Sequence, residues 1–175
     1  MTLSLRQLWK SDRAAAAAEF ALIVPIVIFI FAAIIEFGRI FQVYAATNRV
    51  ATQFAIAWSD CSDSPAGTCQ TELNVYSSAF TIANLAPQLT PASLTLSMFE
   101  VQMAGTTPNV VYASPAGATL TAAQVNLAKA NFASGQIGVI VTASYVHTLQ
   151  FFSAQMTPLL GSRLNPNYTV VQLKS

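Results

Sequence analysis

The 175-residue chain is long enough for one domain with a modest core, yet only 9% of its residues are charged, against about 25% in an ordinary soluble domain. A net charge of +1, with no basic stripe interleaved with aromatics, excludes bulk attraction to nucleic acid. The 54% hydrophobic content is concentrated near the N-terminus, which is the pattern of a membrane protein.

Residues 14–35 form an apolar run broken only by Glu19. At about 1.5 Å per residue such a helix crosses a hydrocarbon core of about 30 Å. Arg6, Lys10 and Arg13 precede it, the layout of a secretory signal. A leader-peptidase site would have to use Val43-Tyr44-Ala45, but the run is too long for a signal core and helical patterning continues through that point. As an anchor, the basic residues keep the short N-terminus in the cytoplasm and the C-terminal part outside, although Arg39 and Arg49 follow the span.

A carboxylate at the centre of a spanning helix costs about 2.5–3.5 kcal/mol on insertion scales. Two readings of Glu19 follow. It begins the helix at the headgroup boundary, favoured by the helix dipole. Alternatively the chain is cut between Ala14 and Ala15, and the new ammonium at Ala15 pairs with Glu19 of the same or a neighbouring subunit. Side chains lean toward a helix N-terminus, so the spacing suits that pairing.

Beyond the span the helix is predicted to continue to Trp58. Phe37, Ile40, Phe41, Tyr44, Ala51, Phe54, Ala55 and Trp58 recur at helical spacing and predict one stripe packed on the exported domain. Glu36 and Arg39, three residues apart, pair at the outer interface. Pro25 removes one helix hydrogen bond and loosens or kinks the inner half.

Cys61 and Cys69 bracket the turn-rich "SDSPAGT". Outside the cytoplasmic membrane two cysteines this close read as a disulfide, with free thiols or half a metal site as the alternatives. With His147 the only histidine, zinc is not expected, and no other metal or cofactor is implied.

Thr71–Leu85 patterns as a helix ended by Pro87. Residues 93–103 alternate as a strand, but Leu94, Leu96 and Met98 take one parity and Phe99, Val101 and Met103 the other, which predicts a bulge or burial on both faces. Residues 108–113 form a short strand. Thr121 and Gln124 make a capping box before a helix that stops near Gly135. Residues 137–149 alternate at period two, and 168–173 pair beside them. The fold class is therefore α+β: a long N-terminal transmembrane and amphipathic helix packed on a small antiparallel sheet, in the shape of a lollipop.

The chain carries no recognisable catalytic motif. It has no nucleophile elbow and no phosphate loop. His147 lies on the parity of Val139, Val141 and Tyr145 with no carboxylate nearby in sequence, so it is a structural or rim histidine, and Glu100 is a solvated strand residue. No enzyme is expected.

A basic leader, a small-residue region, Glu19-Phe20-Ala21, an apolar helix with Pro25, then Glu36-Phe37-Gly38-Arg39 together resemble the TadE-like minor pilins of the tight-adherence (Flp, type IVc) pilus. The one departure is Ala14, where that family usually has glycine. "VTASYVHTLQFF" and "PLLG" look like its late strand and loop. The resemblance implies cleavage between Ala14 and Ala15 by a prepilin peptidase, with Glu19 and Phe20 registering subunits and Pro25, Glu36 and Arg39 in helix packing. It implies as partners other pilin and pseudopilin subunits, the inner-membrane assembly machinery and membrane lipid. The expected organisation is a leader (1–14), a long helix (15–58, spanning over 15–36 and amphipathic over 37–58) and an extracytoplasmic domain (59–175). The implied location is the bacterial inner membrane, single-pass, with the C-terminal domain periplasmic, and incorporation into an extracellular pilus. The alternative is a permanently anchored extracytoplasmic binding or structural protein with an uncleaved N-terminus.

Overall fold

A computed structural model describes residues 12–60, 84–151 and 164–174. Helix α1 spans Asp12–Ser59 as one element and runs through Pro25. It begins three residues before, and ends one residue after, the 15–58 expected. At about 1.5 Å per residue it is about 72 Å long. Proline at position 25 leaves the carbonyl four residues earlier without its helical donor, and the helix continues through it unbroken.

Among the described residues four strands form one antiparallel sheet in the order β2-β1-β3-β4: β1 Leu94–Ala104, β2 Thr107–Ser114, β3 Ile137–Tyr145 and β4 Asn167–Leu173. Helix α2, Ala122–Asn131, connects β2 to β3. β1 and β2 are joined by the two-residue turn Gly105-Thr106, where Gly105 has φ +64°, a conformation glycine adopts without steric cost. The capping box at Thr121 and Gln124 is present with both reciprocal bonds. The helix it opens ends at Asn131 rather than near Gly135, which instead takes φ +85° in the turn before β3.

Of the two predicted causes of the parity change along β1, burial on both faces is the one at work. β1 itself alternates without a break, pairing with β3 continuously from Leu94 to Gln102, and the register shift between Glu100 and Val101 leaves its extra residue on β2, because Glu100 pairs with Tyr112 and Val101 with Val110. The sheet is covered on both faces. On one face Met98, Val139, Val141 and Tyr145 meet Val43, Ala46, Val50, Phe54, Ala55 and Trp58 of α1. On the other, Phe99, Val101, Met103 and Ile140 meet Ala128 and Phe132 of α2 and its C-terminal end. The Phe132 ring lies so close to Gly138 that a Cβ there would overlap it.

The stripe of α1 is rotated from the predicted one. Ala51, Phe54, Ala55 and Trp58 are buried as expected, but Phe37 is 49% and Phe41 72% exposed, and Ile40 and Tyr44 are half-buried. The line of burial runs through Ala32, Glu36, Val43, Thr47, Val50, Phe54 and Trp58, with Ala46, Ala51 and Ala55 beside it, in successive steps of three, four or seven. Choosing apolar residues alone shifts the stripe by one position at its start, because the residue that faces the domain there is a carboxylate.

The predicted helix over 71–85 lies outside the described residues except for 84–85, which are helical. Cys61, Cys69 and "PLLG" also lie outside them.

Truncating a buried aromatic to alanine costs about 3–5 kcal/mol. Denaturant unfolding of the full chain in detergent should therefore show losses of that size for Trp58→Ala and Phe54→Ala. Phe41→Ala, on the outward face, should stay within about 0.5 kcal/mol of the parent. Equal losses at Phe41 and Phe54 would contradict the observed phase of the helix.

Candidate functional site at the helix–domain junction

α1 brings two chemically different environments onto one rod. From Ala15 to Ile35 almost every side chain is exposed, including Phe20, Leu22, Ile26, Ile28, Phe31 and Ile35. One residue later Glu36 is buried. The segment after β3 crosses the helix at this level. The backbone N–H of Gln150 donates to Glu36 Oε2 at 3.2 Å and to Oε1 at 3.4 Å, and the N–H of Phe151 donates to Oε2 at 3.2 Å. A carboxylate receiving consecutive amides holds both the loop and itself, since the amides lose water on burial and need an acceptor.

Two basic side chains flank the carboxylate. Arg39 Nη1 lies 3.8 Å from Glu36 Oε2, the predicted i,i+3 pair. His147 Nε2 lies 3.4 Å from Oε1. That imidazole contact is an ion pair when the ring is protonated, and it falls outside hydrogen-bond geometry. His147 continues the inward parity of β3 as predicted, but it stands two residues past the strand's end, where its backbone N–H donates to Asn165 Oδ1 at 3.1 Å. Its side chain is only 3% exposed, so it offers no open face to a substrate. The carboxylate missing from its sequence neighbourhood is Glu36, brought to it by the docking of α1.

Glu100 corrects a second expectation. It is buried rather than solvated, because even-numbered positions of β1 face α1. Trp58 Nε1 donates to Glu100 Oε2 at 3.3 Å and Lys174 Nζ to Oε1 at 3.0 Å. The indole of Trp58 also stacks edge-on against Tyr112, with centroids 5.4 Å apart. Glu36 and Glu100 thus fix the two ends of the domain-bound part of α1, about 33 Å apart along the helix. The signal for both was a carboxylate in an otherwise apolar stripe or strand.

The other residues singled out in the sequence do not converge here. Glu19, Phe20 and Pro25 are exposed along the apolar half of α1. Among the described residues no three of His, Cys, Asp and Glu gather as a metal site.

Residues 14–55 match the family model described as TadE-like protein. The chain carries a TadE-like segment. That segment lies wholly within α1 and contains both the exposed apolar half and the junction carboxylate, Glu36. TadE-like proteins are associated with the tight-adherence pilus as structural or assembly components. No curated protein and no solved structure matches the chain.

If Glu36 acts chiefly through the loop amides, Glu36→Ala should lower the unfolding free energy by about 1.5–3 kcal/mol, the range for hydrogen bonds to a charged group. Arg39→Ala, whose side chain is 35% exposed, should cost under about 1 kcal/mol. Comparable losses in the two variants would place the weight on the ion pair instead.

Proposed function

We propose that the protein is a minor pilin of the tight-adherence type: inserted as a single-pass precursor, cut between Ala14 and Ala15 by a prepilin peptidase, and used to prime or build a pilus for surface adhesion. The observation that carries this is the TadE-like segment over 14–55 on a helix whose first half has no cover of its own. Residues 15–35 expose a continuous apolar surface about 30 Å long, the thickness of a hydrocarbon core. Such a surface is stable in lipid, and it is equally stable packed against the apolar helices of neighbouring subunits. A protein that passes from a membrane into a filament needs a helix acceptable to both environments.

Orientation follows from the charges. Arg6, Lys10 and Arg13 remain cytoplasmic, and the sheet lies in the periplasm. Cleavage after Ala14 would place an ammonium four residues before Glu19. In lipid the two charges neutralise each other, and between subunits the same pairing sets register. Glu19 is exposed in the isolated chain and so is free to meet a neighbour. In this reading Phe20 sits at the same contact, and Cys61 and Cys69 join in the oxidising compartment.

The mass of the mature protein tests the processing step directly. Loss of the first fourteen residues is expected, and an intact N-terminus would favour the permanently anchored alternative. Glu19→Ala should insert in the membrane at least as well as the parent, since a costly charge is gone, while recovery of the subunit in sheared pilus fractions falls. Undiminished recovery would remove Glu19 from the assembly contact.

A further inference from the structure

The exposed apolar surface does not end with the apolar half of α1. Phe151 is 40% exposed, although its backbone N–H is held by Glu36, the first residue after the apolar run. Phe37, on the next position of α1, is 49% exposed. Arg39, at the same level, keeps 35% of its side chain exposed, while its buried Nη1 faces Glu36 Oε2 at 3.8 Å. We propose that this end of the domain is a lipid-binding foot, in which Phe37 and Phe151 enter the headgroup boundary of an anionic bilayer and Arg39 pairs with phospholipid phosphate.

The height decides the occupant. The hydrogen bond from the backbone N–H of Phe151 to Glu36 places the backbone of that residue within about one helical turn, 5.4 Å, of the end of the apolar run. The interfacial zone on each side of the hydrocarbon is about 5–7 Å deep. Ile34 and Ile35, exposed immediately below, are at the level of acyl chains when the helix spans. The aromatics beside and above them then face the headgroup boundary, where apolar rings bury their bodies and a guanidinium extends to phosphate. The opposite end of the domain is remote. Leu94 pairs with Tyr145 near the junction, and β1 runs ten residues from there to the Gly105-Thr106 turn, about 33 Å at 3.3 Å per residue.

The proposal rests on residues 15–35 spanning the membrane, and the test separates the two. The full chain is reconstituted in phosphatidylcholine/phosphatidylglycerol vesicles with p-benzoylphenylalanine in place of Phe151, Phe37, Phe29 or Thr106, one at a time. After irradiation, adducts are read by mass. Lipid adducts are expected at Phe29, Phe37 and Phe151, with none at Thr106. Lipid adducts at Phe29, with none or only protein adducts at both Phe37 and Phe151, would overturn the foot while leaving the span intact. Absence of lipid adducts at Phe29 would overturn the span and the foot together. Equal labelling at Thr106 and Phe151 would also overturn the foot, since contact would then be unrelated to height.

Discussion

The buried carboxylate of Glu36 joins the uncovered apolar half of α1 to the folded domain. It stands where the exposed run of α1 ends, and the two oxygens accept amides from a segment more than a hundred residues away in sequence. Burying a carboxylate without partners would be prohibitive, so the helix cannot dock in this register unless the loop comes with it. The dependence is mutual. Gln150 and Phe151 need an acceptor, and among the residues around them Glu36 supplies it. The junction is therefore specified by polar satisfaction, in a molecule whose remaining helix–sheet contact is almost entirely apolar.

From that point the rest of the architecture is a consequence of helical phase. With Glu36 facing the loop, Val43, Val50, Phe54 and Trp58 turn toward the sheet, and Phe37 and Phe41 turn away. Glu100 accepts the indole of Trp58 and the ammonium of Lys174 at the other end, so the last strand is tied to the same frame. The second helix covers the opposite sheet face with its own apolar cluster and makes the sheet a middle layer. α1 thus leaves the domain as the continuation of the same helix that is packed on the sheet.

Much of this was legible in the sequence, for identifiable reasons. Alternation marked the strands at 94–104 and 137–145, the second expected four residues longer than it is, while 107–114 and 167–173 were legible as short strand candidates, and the break in parity at Phe99 encoded the two-sided burial. The capping box was readable because its two bonds are local. The stripe at Phe37 and Phe41 was misplaced because hydrophobicity alone cannot tell the face of a helix that packs on its own domain from one that the domain leaves uncovered. Glu100 was misread, and the carboxylate beside His147 was not foreseen, because the partners, Trp58 and Lys174 on the one hand and Glu36 on the other, come from distant parts of the chain. Periodicity carries no information about such pairs. What it does carry is the anomaly itself, a charge on a stripe that should be apolar.

Glu36 holds the amides of Gln150 and Phe151 in the folded protein. Hydrogen exchange of these two amides in the parent chain, resolved in a bilayer mimic, measures this most directly. Protection comparable to that of amides within β3 is predicted, since all would open only when α1 leaves the sheet. Exchange of both at the rate of an unstructured segment, with β3 still protected, would show that the carboxylate does not hold the loop.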